Sequence, residues 1–496
     1  MTTNHHSEKK CNNLCGRLCN GKAEGIAFGI LFAYFSAKAF FFALRIRERI
    51  FPDESSWYGT IQVFSRSRWL PVDSPESYHL GLITHLPSLY FFLMGKLLTC
   101  NFFPIDDLIF LRLLNVLFAM LSVFVAWHLS KLLGLTLPVR ILSMVMLTNT
   151  VMFTFIAGAV NYDNLSTLLA VVSLYYFVRF FQERSRCDLL LFFLCALAGM
   201  LTKNVLIPYG AALIAIFFWH ERGSLLNFSK STPIMISSWK WRDSLLMALC
   251  LVALTMNLIL YGGNIVRYGG LLPSMEMVLP IEDCLQNRLF TRDYAVHEFK
   301  AGKLTLLDAQ RLALSIRDPG DRASAWTQLA EAAKNRTKQA PQQLMGRWRY
   351  TLEWVQIVVV RTYSVAAHLS LFKYDSDFYA YYAIFALAGG IWVFRFRELL
   401  TPGMGGVGFL FLFYTTTLMQ VVNYTIYRGS GFSGVALTGR YMFPVLAHLY
   451  LLTAHALLTN MPRWWQLAVG LVVAAIFIGG EFPWFYRLAG PEWYFF

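Results

Sequence analysis

Charge is scarce in this sequence: 15% of its 496 residues are Asp, Glu, Lys or Arg, against about 25% in ordinary soluble domains. With 56% hydrophobic residues, a water-dissolved globular chain is excluded and lipid is the solvent for most of it. Cysteine is scarce as well. Eight residues without a C-x-x-C pair exclude a disulfide framework and a cysteine-built zinc site. Cys11, Cys15 and Cys19 precede the first apolar run, either as reduced thiols of a cytosolic tail or as acylation sites beside the membrane. No Walker loop or dinucleotide glycine motif is present, which argues against a nucleotide-driven pump. His85, His128, His368 and His448 show no paired ligand spacing and read as satisfied polar positions.

What is present is a succession of apolar runs, among them Ile26 to Leu44, Ile141 to Val160, Leu245 to Tyr261 and Trp464 to Gly480. Each is near the ~20 residues that cross a bilayer. They lack the alternation of barrel strands, so the spans are helices. The first is expected to be a retained anchor. The net charge of +14 is spread over short loops rather than gathered in one stripe. That excludes nucleic acid and matches the positive-inside bias of a bacterial inner-type membrane.

Charge also orients the spans. The basic loops are the N-terminus, 131–140, 179–186, 220–242, 395–397 and Arg463. They all face the cytoplasm only if Leu82 to Cys100 and Arg347 to Phe372 lie at the outer surface as interfacial helices. The expected fold is an all-α polytopic membrane protein of eleven transmembrane helices, or thirteen if those two segments span. The spans run approximately over 26–44, 110–130, 141–160, 164–181, 188–202, 204–219, 245–261, 377–394, 404–424, 441–458 and 464–480. Four regions follow: a cytosolic tail (1–25), an N-terminal transmembrane module (26–261) with a first outer loop (45–109), an extracytoplasmic helical insertion with a juxtamembrane helix (262–376), and a C-terminal transmembrane module (377–496). Within the insertion, Lys303 to Ser315 and Arg322 to Lys334 read as a helical hairpin joined by Arg317-Asp318-Pro319-Gly320-Asp321.

The unusual polar residues then fall on the outer side. Asp53 and Glu54 follow the first span, where adjacent carboxylates disturb each other's pKa and suit a base or a cation site; the alternative is a cap at a helix start. Asp163, flanked by Asn161 and Asn164, is a second cavity carboxylate or a turn and cap. Lys203 is a phosphate ligand or a snorkelling lysine. Arg440 and Tyr441, in Thr438-Gly439-Arg440-Tyr441-Met442-Phe443-Pro444, offer a phosphate-binding fork or an interfacial anchor.

These motifs, in this order and with His85-Leu86-Pro87-Ser88-Leu89-Tyr90 after the first, resemble the GT-C superfamily of lipid-phosphate-sugar glycosyltransferases. Pro-Asp-Glu early and Gly-Arg-Tyr-x-x-Pro late are most similar to a family of predicted bacterial membrane proteins. The resemblance implies a sugar donor on a polyprenyl phosphate, a glycan, lipid or protein acceptor outside the membrane, and inversion at the anomeric carbon. It implies Asp53 as general base, Glu54 assisting or binding a cation, and Asp163, Asn161 and His85 lining the acceptor cavity. Lys203, Arg440 and Tyr441 would hold the donor phosphate. Some members of the superfamily use a divalent cation, and Mg2+ or Mn2+ would fall to Asp53, Glu54 and Asp163.

The sequence departs from the pattern at two places. Ser55-Ser56-Trp57-Tyr58 stands where a histidine commonly follows the acidic pair, and Thr438 stands where a glutamine precedes Gly-Arg-Tyr. Donor or acceptor contacts are therefore expected to differ. The competing function is a transporter or flippase of a lipid-linked saccharide, which predicts charges deep in the spans and broken helices near mid-bilayer.

Overall fold

The computed structural model describes residues 5–226, 240–337, 344–431, 433–434 and 437–495, with side chains from Lys22 onward. Most of the basic loop 220–242 and the side chains of Cys11, Cys15 and Cys19 lie outside the described residues. The described chain is helical, without named strands. Eight helices are long and apolar enough to cross a bilayer, and nine if one bent pair counts as a span. The eleven expected segments all fall on helices, but two, α8 (Arg186–Thr202) and α9 (Leu206–Leu226), are not among those nine.

The run expected as one span over 141–160 is broken. It forms α5 (Leu137–Thr148) and α6 (Val151–Ala157), bent by 65° at Asn149. A break frees carbonyls that hydrocarbon cannot satisfy. Here Lys38, on α1 (His5–Arg45), donates to the Thr148 carbonyl at 2.8 Å and to Asn149 Oδ1 at 3.0 Å, while its ammonium pairs with Glu481 at 2.6 Å. Both members of that pair are 2% exposed.

The segment expected as an interfacial helix over 82–100 is helical only as α3 (Leu89–Leu98); at 10 residues, about 15 Å, it is too short to cross. It packs with α2 (Glu54–Arg66), α4 (Asp107–Leu132) and α7 (Tyr162–Glu183) around Ile61, Phe64, Tyr90, Met94, Leu111 and Leu165. α10 (Trp241–Asn257) leads into the insertion. Its α11 (Arg288–Lys300), α12 (Leu306–Ser315) and α13 (Pro319–Thr337) share a small core of Val296, Phe299, Ala313, Ile316 and Leu329. The hairpin is α12 and α13; α11 is a third helix that the sequence reading did not foresee.

α14 (Arg347–Tyr363), α15 (Asp375–Phe394) and α16 (Pro402–Thr416) follow. The chain then enters α17 (Phe443–Leu458), the centre of the bundle, where 83% of the span Gly439–Leu458 is buried against 17 to 28% for five other spans, including that of α1.

Candidate active site

Asp53 is the last residue before α2, and its backbone lies in the left-handed region at φ 60°. Its side chain makes no capping hydrogen bond. Instead Oδ2 accepts from Arg440 Nη2 at 2.7 Å. Arg440 enters the span of α17 from a single 3-10 turn, Gly439–Met442. Gly439 is required there by packing: a Cβ would sit 2.6 Å from the Arg361 carbonyl and from Thr362 Oγ1 on α14. The close approach is thus to another helix, and it fixes where the guanidinium starts.

Arg440 Nη1 also lies 3.5 Å from Asp163 Oδ2, and Asp163 Oδ1 accepts from Lys203 Nζ. Lys203 sits between α8 and α9 with its ammonium 4.8 Å over the Tyr162 ring and 4.7 Å over the Tyr441 ring. Four residues from four distant parts of the chain thus form one line, Asp53–Arg440–Asp163–Lys203, with two charges of each sign. Asp163 and Lys203 are 1% and 4% exposed, and Asp53 is 37% exposed. The line opens toward solvent only at Asp53.

The electrostatics follow from this arrangement. Burial alone would raise the pKa of the Asp53 carboxyl, but the charge and hydrogen bond of Arg440, helped by His368 and Arg288, hold it below its ordinary value. For Lys203 burial is the larger effect and pulls the ammonium's pKa down, although Asp163 opposes it.

Glu54 is elsewhere. Its carboxylate receives Arg112 Nε at 2.9 Å and Nη2 at 2.5 Å, and Val160 N–H at 3.0 Å. Arg112 also donates to the Ala43 and Ile46 carbonyls at the end of α1, at 3.2 and 2.6 Å. The fork thereby joins the orphan carbonyls of one helix to the start of the next and braces the Asp53 turn. Glu54 is a brace and not an assisting base or cation ligand, because both oxygens are occupied in a buried pair. Arg112 was missed by sequence reasoning; an arginine at the expected outer end of a span, against the charge rule, was the available signal.

Asn161 caps α7, its side chain accepting from Asp163 N–H at 2.9 Å. His85 belongs to a different network: Nδ1 meets Asp73 Oδ2 at 3.0 Å and Nε2 meets the Tyr268 hydroxyl at 3.2 Å. The His85 contacts do not involve the four-residue line, and Asn161 meets it only at the backbone N–H of Asp163. Tyr441 presents its ring to Lys203, and its carbonyl accepts from the Tyr414 hydroxyl at 2.6 Å.

The three carboxylates do not form a cation site. Glu54 is consumed by Arg112, and Asp53 and Asp163 share a guanidinium between them, which repels a cation. Among the described residues no group of three or more His, Cys, Asp or Glu side chains is placed to hold a metal.

Residues 102–259 match the family model described as dolichyl-phosphate-mannose-protein mannosyltransferase. That match covers about a third of the chain, and the family it names is one of lipid-phosphate-sugar transferases, in line with the resemblance drawn from the motifs. The matched segment carries Arg112, Asp163 and Lys203 but not Asp53 or Arg440. No curated protein matches the chain. Among solved structures, the chain is similar at 11% identity and a TM-score of 0.43 to the archaeal oligosaccharyltransferase AglB of Archaeoglobus fulgidus in complex with an inhibitory peptide and a dolichol-phosphate; 91% of this chain and 54% of that one are covered. The chain therefore spans about half the length of the archaeal protein. ArnT of Cupriavidus metallidurans is similar at 14% identity in its apo state and 12% when bound to undecaprenyl phosphate, each with a TM-score of 0.35. Those alignments cover 87% and 93% of this chain and 78% and 81% of the other.

Proposed function

We propose that the protein is a glycosyltransferase that moves a hexosyl or pentosyl group from a polyprenyl-phosphate donor to an acceptor hydroxyl on the extracytoplasmic side. The observation that carries this is the line of alternating charges, open to solvent at a carboxylate and buried at an ammonium. A family description that names a dolichyl-phosphate sugar agrees with such a donor.

In the proposed reaction the acceptor oxygen attacks the anomeric carbon as the bond from that carbon to the phosphate oxygen breaks, with inversion. The acceptor proton passes to Asp53, and the polyprenyl phosphate leaves with the bonding pair, stabilised by Arg440 and Lys203. Both cations are paired with carboxylates before donor arrives, so the donor phosphate has to compete for them. Arg440 is the one that can be shared. Drawn toward the phosphate, it releases Asp53, whose basicity then rises at the moment a base is needed.

Transfer from polyprenyl-phosphate sugar in proteoliposomes tests this. Asp53→Asn is expected to lower kcat by roughly 100-fold or more, the ordinary reach of general base catalysis. Turnover equal to that of the unaltered protein would refute Asp53 as the base.

The transporter reading draws support from the Lys38–Glu481 pair inside the bundle and the broken α5–α6 span. Each polar group there is satisfied by its neighbours, which suits a brace. Movement of a labelled lipid-linked saccharide across vesicles without any transfer would favour transport instead.

A further inference from the structure

Besides Asn264 and Tyr268, which meet His85, the insertion touches the first loop at the start of α11. Asn287 caps α11, accepting from Leu289 and Phe290 N–H at 3.0 Å each, and its Nδ2 donates to the His79 carbonyl at 3.1 Å. Arg288, the first residue of α11, reaches in two directions. Nη2 donates to Ser56 Oγ on α2 at 3.2 Å, while Nη1 pairs with Asp321 at 2.7 Å and Asp318 at 3.3 Å in the turn before and at the start of α13. That turn is itself fixed: Asp321 N–H donates to Asp318 Oδ1 at 2.8 Å, and Arg292 holds the other Asp321 oxygen at 3.2 Å. Arg288 is 25% exposed, so its contacts are partly shielded from water. Its charge also acts on the carboxylate of Asp53.

The strained turn at Asp53 is braced from the bundle side by the pair of Glu54 and Arg112. Ser56 lies one turn further along the same helix. We propose that Arg288 is a positioning residue that latches the insertion onto α2 and so holds the Asp53 carboxylate in register with Arg440. The insertion is then part of the catalytic assembly and not an appended domain. A fork is suited to this because it can hold two partners at once, whereas an ammonium is a point charge.

Hydrogen exchange of the full chain in lipid nanodiscs tests the latch without any substrate. Arg288→Gln is expected to raise exchange at amides 57–62 by roughly tenfold, the loss of one charge-assisted hydrogen bond, while the amides of α4 and α7 stay as they were. Ser56→Ala removes the same bond but leaves the ion pairs of the insertion intact, and is expected to loosen 57–62 while 320–334 stays unchanged. Arg288→Lys is expected to fall between Arg288→Gln and the unaltered protein. Unchanged exchange at 57–62 in Ser56→Ala overturns the proposal, as does loosening confined to 288–334 in Arg288→Gln.

A second arm rests on the proposed transferase activity: with polyprenyl-phosphate sugar, Ser56→Ala is expected to lower kcat about tenfold at unchanged KM for the donor, and a pure KM effect overturns the positioning role. Absence of turnover in the unaltered protein sinks the transferase reading and leaves the exchange arm standing.

Discussion

Asp53 occupies a backbone region that costs an L-residue about 1 kcal/mol and that aspartate and asparagine tolerate best. Asparagine is therefore the informative replacement, since it keeps the turn and removes the charge. The proposed exchange of Arg440 has a sign that can be checked. In the free protein Asp53 is held below its ordinary pKa, so it stays ionised until the pH falls through that lowered value. With donor bound and Arg440 withdrawn, the pKa rises. The acid limb of kcat, which reports the complex, is expected at higher pH than that of kcat/KM, which reports the free enzyme. Coincident limbs would count against the exchange. Glu54 makes a separate prediction. Glu54→Gln leaves Arg112 as an uncompensated buried charge and is expected to cost about 3–5 kcal/mol of stability, seen as a large drop in Tm in detergent. The sequence showed two adjacent carboxylates but could not divide their roles, because only the fold decides which of them meets Arg112 and which meets Arg440.

Among the elements, the broken helix α5–α6 depends on residues from both ends of the chain. Lys38 and Glu481 are 443 positions apart. Lys38→Met alone strands a buried carboxylate and frees the Thr148 carbonyl, so a loss of about 3–5 kcal/mol is expected. The double variant Lys38→Met, Glu481→Met is expected to recover part of that loss, and a strictly additive double mutant cycle would mean the two charges do not support each other. A lysine inside the apolar run Ile26 to Leu44 was a visible anomaly. Its partner was not, because apolarity marks where a helix lies and says nothing about which helix it faces. The break itself was hidden for the same reason: Thr148, Asn149 and Thr150 are too mild in polarity to interrupt a hydropathic run. By contrast the hairpin of the insertion was legible, since Pro319 and Gly320 punctuate two helix-forming stretches.

For the whole molecule, the order of the helices and the convergence of Asp53, Asp163, Lys203 and Arg440 were accessible from sequence because charge in the loops orients every span at once. The side of the membrane follows from that argument and is directly testable. A cysteine introduced at Phe102, exposed in the first outer loop, is expected to react in sealed, sided vesicles only with reagent supplied from the extracytoplasmic side; labelling solely from the cytosolic side would invert the topology and the proposed donor and acceptor access with it. What sequence could not supply was depth. Arg440 hangs from the most buried of the candidate spans, while spans such as 375–394 and 463–488 are only 22% buried within the protein. Changes in membrane thickness are absorbed by tilting of helices at the lipid boundary. The proposed reacting groups are thus set apart from the most exposed spans, and on the proposed reading a chain of this design would keep one catalytic geometry in membranes whose lipids differ in length.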